Sequence, residues 1–576
     1  LFTGSAYVML RDNDRSLNRL PGPNDGYNYH VQPGADFSYI VPLSPRFGFT
    51  HTGGYSKQIA PQDLLQNTWT GVSGSANANL PAPGVASPYL TSIQMGDRPR
   101  MTTRNSAGVT FDYKLSPADR LAFTFSWTQF DTANYNRAIR FFIQRVTPGN
   151  FGPTFTHGAT GTGAGELQTA VNARRWTSST YAPALVWRHN GPIWKAEAGA
   201  GLSASTTNYQ DLDQGFLRGE ILARRQNVSI SFDDVSFIGP GRITVRDGTT
   251  GAPVDPYSLS SYSLSSIGNL SDYRDHIEHK RSTYANLRRD FNWRGIPVSL
   301  KGGLDLRQSQ RDISGGTLAA AYTGPANLTP SLLDRPNSRR QPPFGYPLTE
   351  WLSTERTAQL YREHPEYFRT DPNAIYRSIV NLQRYADELI ASAFLRVDAQ
   401  FIERRLKLTG GYRAEQTNVT GEGPLTDPTG AYRRDANGQV VLVNGRPQLI
   451  VPTNAGLEYS KLTFLSRGGH TEKEYLRVLP SLNGSFNLRE NLILRGAFYQ
   501  SLGRPSYNQY YGGTTLPDTE SLPSPTNRWT SYESPNETDW LEVDFGSEKE
   551  FARVELAIYD DRGGVQPPTR YEVEFW

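Results

Sequence analysis

The most regular feature of this chain is a hydrophobic-polar alternation that runs for several residues, breaks at a very short turn, and resumes. It is clearest where Ala107, Val109, Phe111, Tyr113 and Leu115 interleave with Gly108, Thr110, Asp112 and Lys114. Ser116-Pro117-Ala118-Asp119 follows as a turn, and Leu121, Phe123, Phe125 and Trp127 then alternate with Ala122, Thr124, Ser126 and Thr128. Five further hairpins of this kind are predicted. Their turns fall at Ser44-Pro45-Arg46, His189-Asn190-Gly191-Pro192, Arg294-Gly295, Glu403-Arg404-Arg405 and Arg489-Glu490-Asn491. Six hairpins predict at least twelve strands, with weaker candidates at Tyr7 to Leu10 and Val228 to Phe232.

The connections between hairpins are long: Trp127 to Tyr181, Leu202 to Tyr284, Leu306 to Leu395 and Tyr412 to Leu482. Repeated long loops are uncommon inside compact soluble domains. Alternately tiny and long connections fit an antiparallel transmembrane β-barrel, with strands of about 9–11 residues crossing the lipid. A soluble sandwich or a propeller would also alternate, but neither explains this asymmetry, and no fixed-period repeat is present. Pro347 to Leu389 has helical character, with Trp351, Leu352 and Leu360 flanked by Glu355, Arg356, Gln359, Arg362 and Glu363. It is expected to form a folded cap over the barrel mouth.

Composition adjusts this picture without reversing it. Only 37% of the 576 residues are hydrophobic, and the mean hydropathy is −0.55. Helical membrane spans need ~20 consecutive apolar residues, and no such run occurs, so none is expected; a barrel remains open, because its strands show only alternate residues to lipid. Aromatic residues at 12%, with 31 Tyr, 26 Phe and 10 Trp, match the interfacial girdles of such barrels. The absence of cysteine argues against zinc ribbons, iron–sulfur sites and thiol catalysis. A formal charge of +3 gives no case for nucleic acid.

Candidate chemistry is sparse. Asp272, Asp275, His276, Glu278 and His279 could ligate a metal, but their spacing fits no zinc motif, and a solvated loop of mixed charge accounts for them equally well. Asp435-Ala436-Asn437-Gly438 partly matches a calcium loop but lacks the distal acid, and Asn437-Gly438 is read as a hairpin turn. No nucleophile arrangement, phosphate loop or carboxylate pair points to catalysis. The expectation is a protein that is not an enzyme, with no cofactor, no metal and no assignable ligand-binding residue.

Leu479-Pro480-Ser481-Leu482-Asn483, Asn491-Leu492-Ile493-Leu494-Arg495 and Gly503-Arg504-Pro505 resemble the late barrel of TonB-dependent outer-membrane receptors. Leu406 to Pro424, with Gly410-Gly411-Tyr412-Arg413 and Glu415, resembles an earlier strand and loop of that family. The resemblance covers residues 1–526 in style. It implies a barrel from a 22-stranded family in a Gram-negative outer membrane, importing a siderophore, vitamin or oligosaccharide as a monomer powered through the TonB complex. The plug domain that precedes the barrel in that family is not recognisable here, and the strands after Pro505 are not either, so an incomplete barrel is expected. A carbohydrate-binding protein anchored by its barrel, or a passive porin, are the alternatives.

Residues 527–576 read differently. Arg528-Trp529-Thr530-Ser531-Tyr532, Asp539-Trp540-Leu541-Glu542-Val543-Asp544-Phe545-Gly546 and Arg553-Val554-Glu555-Leu556 resemble the discoidin-like (coagulation factor type-C) β-sandwich, whose bacterial members often bind carbohydrate. About fifty residues form only a partial sandwich fragment. Tyr571, Val573, Phe575 and Trp576 would alternatively suit a last barrel strand. The change of character at Leu522-Pro523-Ser524-Pro525-Thr526-Asn527 is read as the joint of a truncated or chimeric gene.

Overall fold

The computed structural model describes residues 1–10, 19–21, 27–70, 80–81, 88–267 and 270–520. The sandwich-like tail and its joint lie outside the described residues. The chain divides into one unit of residues 1–426 and 455–515, and a second of residues 427–454 and 516–576.

The first unit is all-β and is dominated by one large antiparallel sheet. Thirteen strands follow one another across it as an up-and-down meander: β1 Phe2–Met9, β2 Gln32–Pro42, β3 Phe47–Ala60, β4 Arg100–Lys114, β5 Asp119–Ile143, β6 Gly165–Asn190, β7 Trp194–Gln210, β8 Ser271–Trp293, β9 Ile296–Leu318, β10 Arg384–Phe401, β11 Leu406–Thr426, β12 Phe464–Arg489 and β13 Leu492–Tyr499. Each is hydrogen-bonded to the next in chain order. Among the described residues β1 pairs only with β2, and β13 only with β12.

All six predicted hairpins are present, and β1 adds the thirteenth strand. Their turns are built from local chemistry. In Ser44-Pro45-Arg46 the Ser44 hydroxyl accepts the amides of Arg46 and Phe47. In Ser116-Pro117-Ala118 the Ser116 hydroxyl accepts those of Ala118 and Asp119. Proline fixes φ while serine holds the turned backbone. Arg294 and Gly295 both have positive φ, 52° and 84°, which suits the twist of a two-residue hairpin.

Two expectations need correction. Strands of about ten residues were predicted, yet β5, β6 and β12 have 25, 26 and 26. The alternation that betrays a strand holds only near the short turns; farther out both faces carry mixed side chains, so pairing continues where the pattern fades. Much of each predicted long connection is therefore strand. Val228–Val235 is a strand, but it sits in a separate four-stranded sheet with Phe151–Gly152, Phe155–His157 and Pro240–Asp247.

Register determines the character of the large sheet. Residues directly opposite in an antiparallel pair face the same side. Leu121 lies opposite Tyr113 and Trp187. Phe123 lies opposite Phe111 and Leu185. Leu300 lies opposite Val397, Leu395 opposite Tyr412, and Leu482 opposite Phe498. Followed strand by strand, the apolar positions form one continuous band on one face, beside the short turns. Many of its members are exposed, including Leu395 (54%), Tyr412 (66%) and Leu494 (62%).

Glycines on strands admit rings from their neighbours. A Cβ on Gly199 would lie 2.7 Å from the ring of Tyr284, the residue directly opposite. Tyr284 uses that space to donate its hydroxyl to Glu197 at 2.5 Å.

The far ends of the strands share a core of the ordinary kind. Ile139 and Phe141 of β5, Leu167 and Val171 of β6, Ile230 and Phe232 of the small sheet, and Trp351, Leu352 and Ala358 are buried in one cluster. Each fully buried Leu, Ile or Phe there contributes about 1.5–3 kcal/mol. The predicted helical excursion is present as α1 Thr354–Glu363 and α2 Pro372–Leu382, capped by the side chains of Ser353 and Asp371. Ser378 of α2 accepts the Thr317 amide and holds the helix to β9. In the second unit, Asp435 to Gly438 makes a hairpin turn in which the Asp435 carboxylate accepts the amides of Asn437 and Gln439.

We predict that Gly199→Val displaces Tyr284, breaks its bond to Glu197 and destabilises the sheet by about 1–3 kcal/mol. Equilibrium unfolding in urea measures this; an unchanged midpoint would refute the packing account.

Candidate functional site

The face opposite the apolar band is polar and laced with ion pairs. Glu197 receives Arg188 at 3.0 Å, and Asp290 receives Lys195 at 2.8 Å and Arg288 at 2.6 Å. Asp398 receives Arg396 at 2.6 Å and the Thr409 hydroxyl at 2.7 Å. Asp305 is shared by Arg307 and Arg413, and Arg413 also reaches Glu415. Such pairs are partly exposed and each contributes only about 0–1 kcal/mol. Their larger effect is a wettable wall whose charges are held in place.

Beside the short turns this face forms a half-open cavity of about 600 Å³. Seven Lys and Arg side chains line it, Lys114, Arg120 and Lys301 among them, against the carboxylates of Asp119, Glu197 and Asp398. Lys114 and Arg120 stand directly opposite one another on β4 and β5, a like-charge pair that favours an anion between them.

Gly503-Arg504-Pro505 does not continue the sheet. After β13 the chain folds back along the polar face, where Arg504 pairs with Glu415 and bonds Thr417 at 3.2 Å. Tyr507 donates to Ser309 at 2.7 Å, and Tyr511 is buried beside Ile313 and Ala386. Glu415, noted in the sequence only within a family-like string, thus anchors a strap across the wall through Arg504, and Arg413 holds the Glu415 carboxylate from its other side.

Toward the long connections lies a second charged group that sequence reasoning passed over. Strand alternation splits the acidic and histidine cluster of β8: Asp272, His276 and Glu278 face the polar side, Asp275 and His279 the other. No metal-holding group occurs among the described residues. Asp272 instead sits among arginines, taken by the fork of Arg274 at 3.2 Å, with Arg218 at 3.9 Å and Arg174 at 4.0 Å. Asp211 accepts the Asp272 amide at 2.9 Å, and its burial raises the Asp211 carboxyl above the usual range. The signal was hidden because Arg174, Arg218 and Arg274 come from three separate stretches of chain.

Around the outer core, a buried Arg137 bridges Asp97 at 3.2 Å and Asp334 at 3.3 Å, tying the long segment after β9 to β5. The tip of the hairpin between Val228–Val235 and Pro240–Asp247 presents Phe237, 96% exposed, with Asn67 donating to the carbonyls of Phe237 and Ile238. At the other end of that hairpin, Asp247 accepts the amides of Thr249 and Thr250 and the guanidinium of Arg225 at 2.7 Å. Those bonds hold its carboxyl at about 2.

No family model matches this chain, and no curated protein matches its sequence.

We predict an acid-sensitive hairpin. The folded Asp247 carboxyl titrates below its unfolded value of ~3.9, so its support is complete above that value and is lost as pH falls toward 2. Amide exchange at Thr249 and Thr250, corrected for intrinsic rates, should quicken between pH 4 and 2 and be equally fast at pH 6 in Asp247→Ala. Protection in that variant equal to wild type would show the carboxylate is idle.

Proposed function

We propose that the large sheet is the wall of a transmembrane β-barrel in a Gram-negative outer membrane, and that it serves uptake of a scarce ligand. The observation that carries this reading is the continuous apolar band on one face, backed by a polar face bearing ordered charge. Water would not tolerate so broad an exposed apolar surface, since patches on soluble monomers rarely exceed a few hundred Å². Lipid would, provided every backbone group is paired. The two outermost strands would then be closed into a ring by further pairing.

The asymmetry of the ends supports the same orientation as other outer-membrane barrels: short turns inside, long connections outside. The outer connections have a common buried core, which favours a ligand-recognising crown over a passive pore. Powering through TonB follows from the resemblance of Leu479 to Pro505 to that receptor family, and so does the class of siderophore, vitamin or oligosaccharide cargo. A passive porin is the second reading, supported by the charged wall alone; steady ion conductance in planar bilayers without any energising partner would favour it.

The membrane reading predicts a sidedness of mutational cost. Leu300→Arg or Leu395→Arg should destabilise the protein folded into phospholipid vesicles by about 2–4 kcal/mol. Lys301→Ala, on the opposite face, should change stability by less than about 0.5 kcal/mol. Equal effects on the two faces, or a protein monodisperse in water without detergent, would end the barrel proposal.

A further inference from the structure

The arginine group on the polar face is not a closed set of ion pairs. Arg274 meets Asp272 with both arms of its fork, at 3.2 Å each. Arg174 and Arg218 approach the same carboxylate only to 4.0 and 3.9 Å, beyond hydrogen-bond reach. The Nε atoms of both are shielded from solvent and have no hydrogen-bond partner. Three guanidiniums therefore converge on Asp272, whose amide is bonded to Asp211, and Arg174 and Arg218 each retain an unpartnered Nε donor. Both side chains remain about a quarter exposed, so a ligand can reach them.

The surroundings hold these donors rigidly. Arg174 lies 4.1 Å from the ring centre of Tyr209, which packs in turn against Trp176 and His276. The backbone of Arg218 is tied to the Leu270 carbonyl, and its guanidinium is drawn toward Asp272 at 3.9 Å. Guanidiniums held in place with open donors are the usual means of gripping a planar carboxylate or a phosphate, each through paired N–H bonds.

We infer that Arg174, Arg218 and Arg274 form an oxyanion-binding site that takes a carboxylate or phosphate group of the ligand. This deepens the uptake reading by naming the ligand's charge. The cargo is anionic, it is first held on the crown side of the wall, and the basic cavity beside the short turns offers the same charge farther along the polar face. Asp272 occupies the site in the absence of ligand and is its internal competitor.

The test is isothermal titration of the full chain in detergent micelles with citrate, with inorganic phosphate, and with maltose as an uncharged control. Citrate or phosphate should bind and maltose should not, and the tighter of the two anions identifies the group recognised. Arg174→Gln and Arg218→Gln should each weaken binding at least tenfold. Asp272→Asn removes the competing carboxylate and should tighten binding several-fold, a gain that a misfolded variant cannot imitate. Absence of anion binding by the wild type, or unchanged affinity in both arginine variants, overturns the site. Anion binding by a chain that fails to enter vesicles would keep the site and remove transport; vesicle insertion without anion binding would do the reverse.

Discussion

Strand register is the constraint on which everything else in this molecule depends. A slip of one residue at any of the twelve ladders would carry the apolar set of that strand to the polar face and its charges to the apolar one. The Ser-Pro turns and the Arg294-Gly295 pair set that register locally, because a turn of fixed length leaves the two strands one way to pair. Rings seated over glycines, as Tyr284 over Gly199, add a second lock. The ion pairs then follow: Glu197 reaches Arg188 and Tyr284 only because β6, β7 and β8 are in step.

Along its length the sheet works in two regimes. Near the short turns its stability rests on backbone pairing and on whatever covers the apolar band. Toward the long connections it rests on a conventional buried core, with Phe141, Leu167, Phe232 and Trp351 packed together and Arg137 sealed between two carboxylates. Both groups of basic residues lie on the polar face, one in each regime. The geometry thus joins a well-packed outer region to a charged wall.

The hairpins were legible in the sequence because period-two alternation is strong wherever one face is apolar and the other wet, as from Ala107 to Trp127. The helices were legible from Trp351, Leu352 and Leu360 within a charged stretch. The outer reaches of β5, β6 and β8 were not: Ile139 and Phe141 are buried beside Arg137, so no simple alternation marks them. Of the small sheet, Val228 to Phe232 was legible as a strand; Phe151–Gly152 and Phe155–His157 were not, being too short to show any alternation. The arginine site was invisible in principle to local reading. Arg174, Arg218 and Arg274 share no motif, and register together with a loop return bring them together. The acidic residues between Asp272 and Glu278 drew notice as possible ligands, whereas Asp272 acts as a counter-ion.

The excess length of the strands has one more consequence. A strand of 25 residues such as β5 extends ~80 Å at ~3.3 Å per residue, and even at a 45° tilt its height is roughly twice the ~30 Å of a bilayer's hydrocarbon. On the membrane reading, the long strands β5, β6 and β12 would stand in water for about half of their height. The point where cargo is first caught is therefore set apart from the point where it crosses. Each can change by substitution without retuning the other, much as the mouth of a chimney can be rebuilt without touching the hearth.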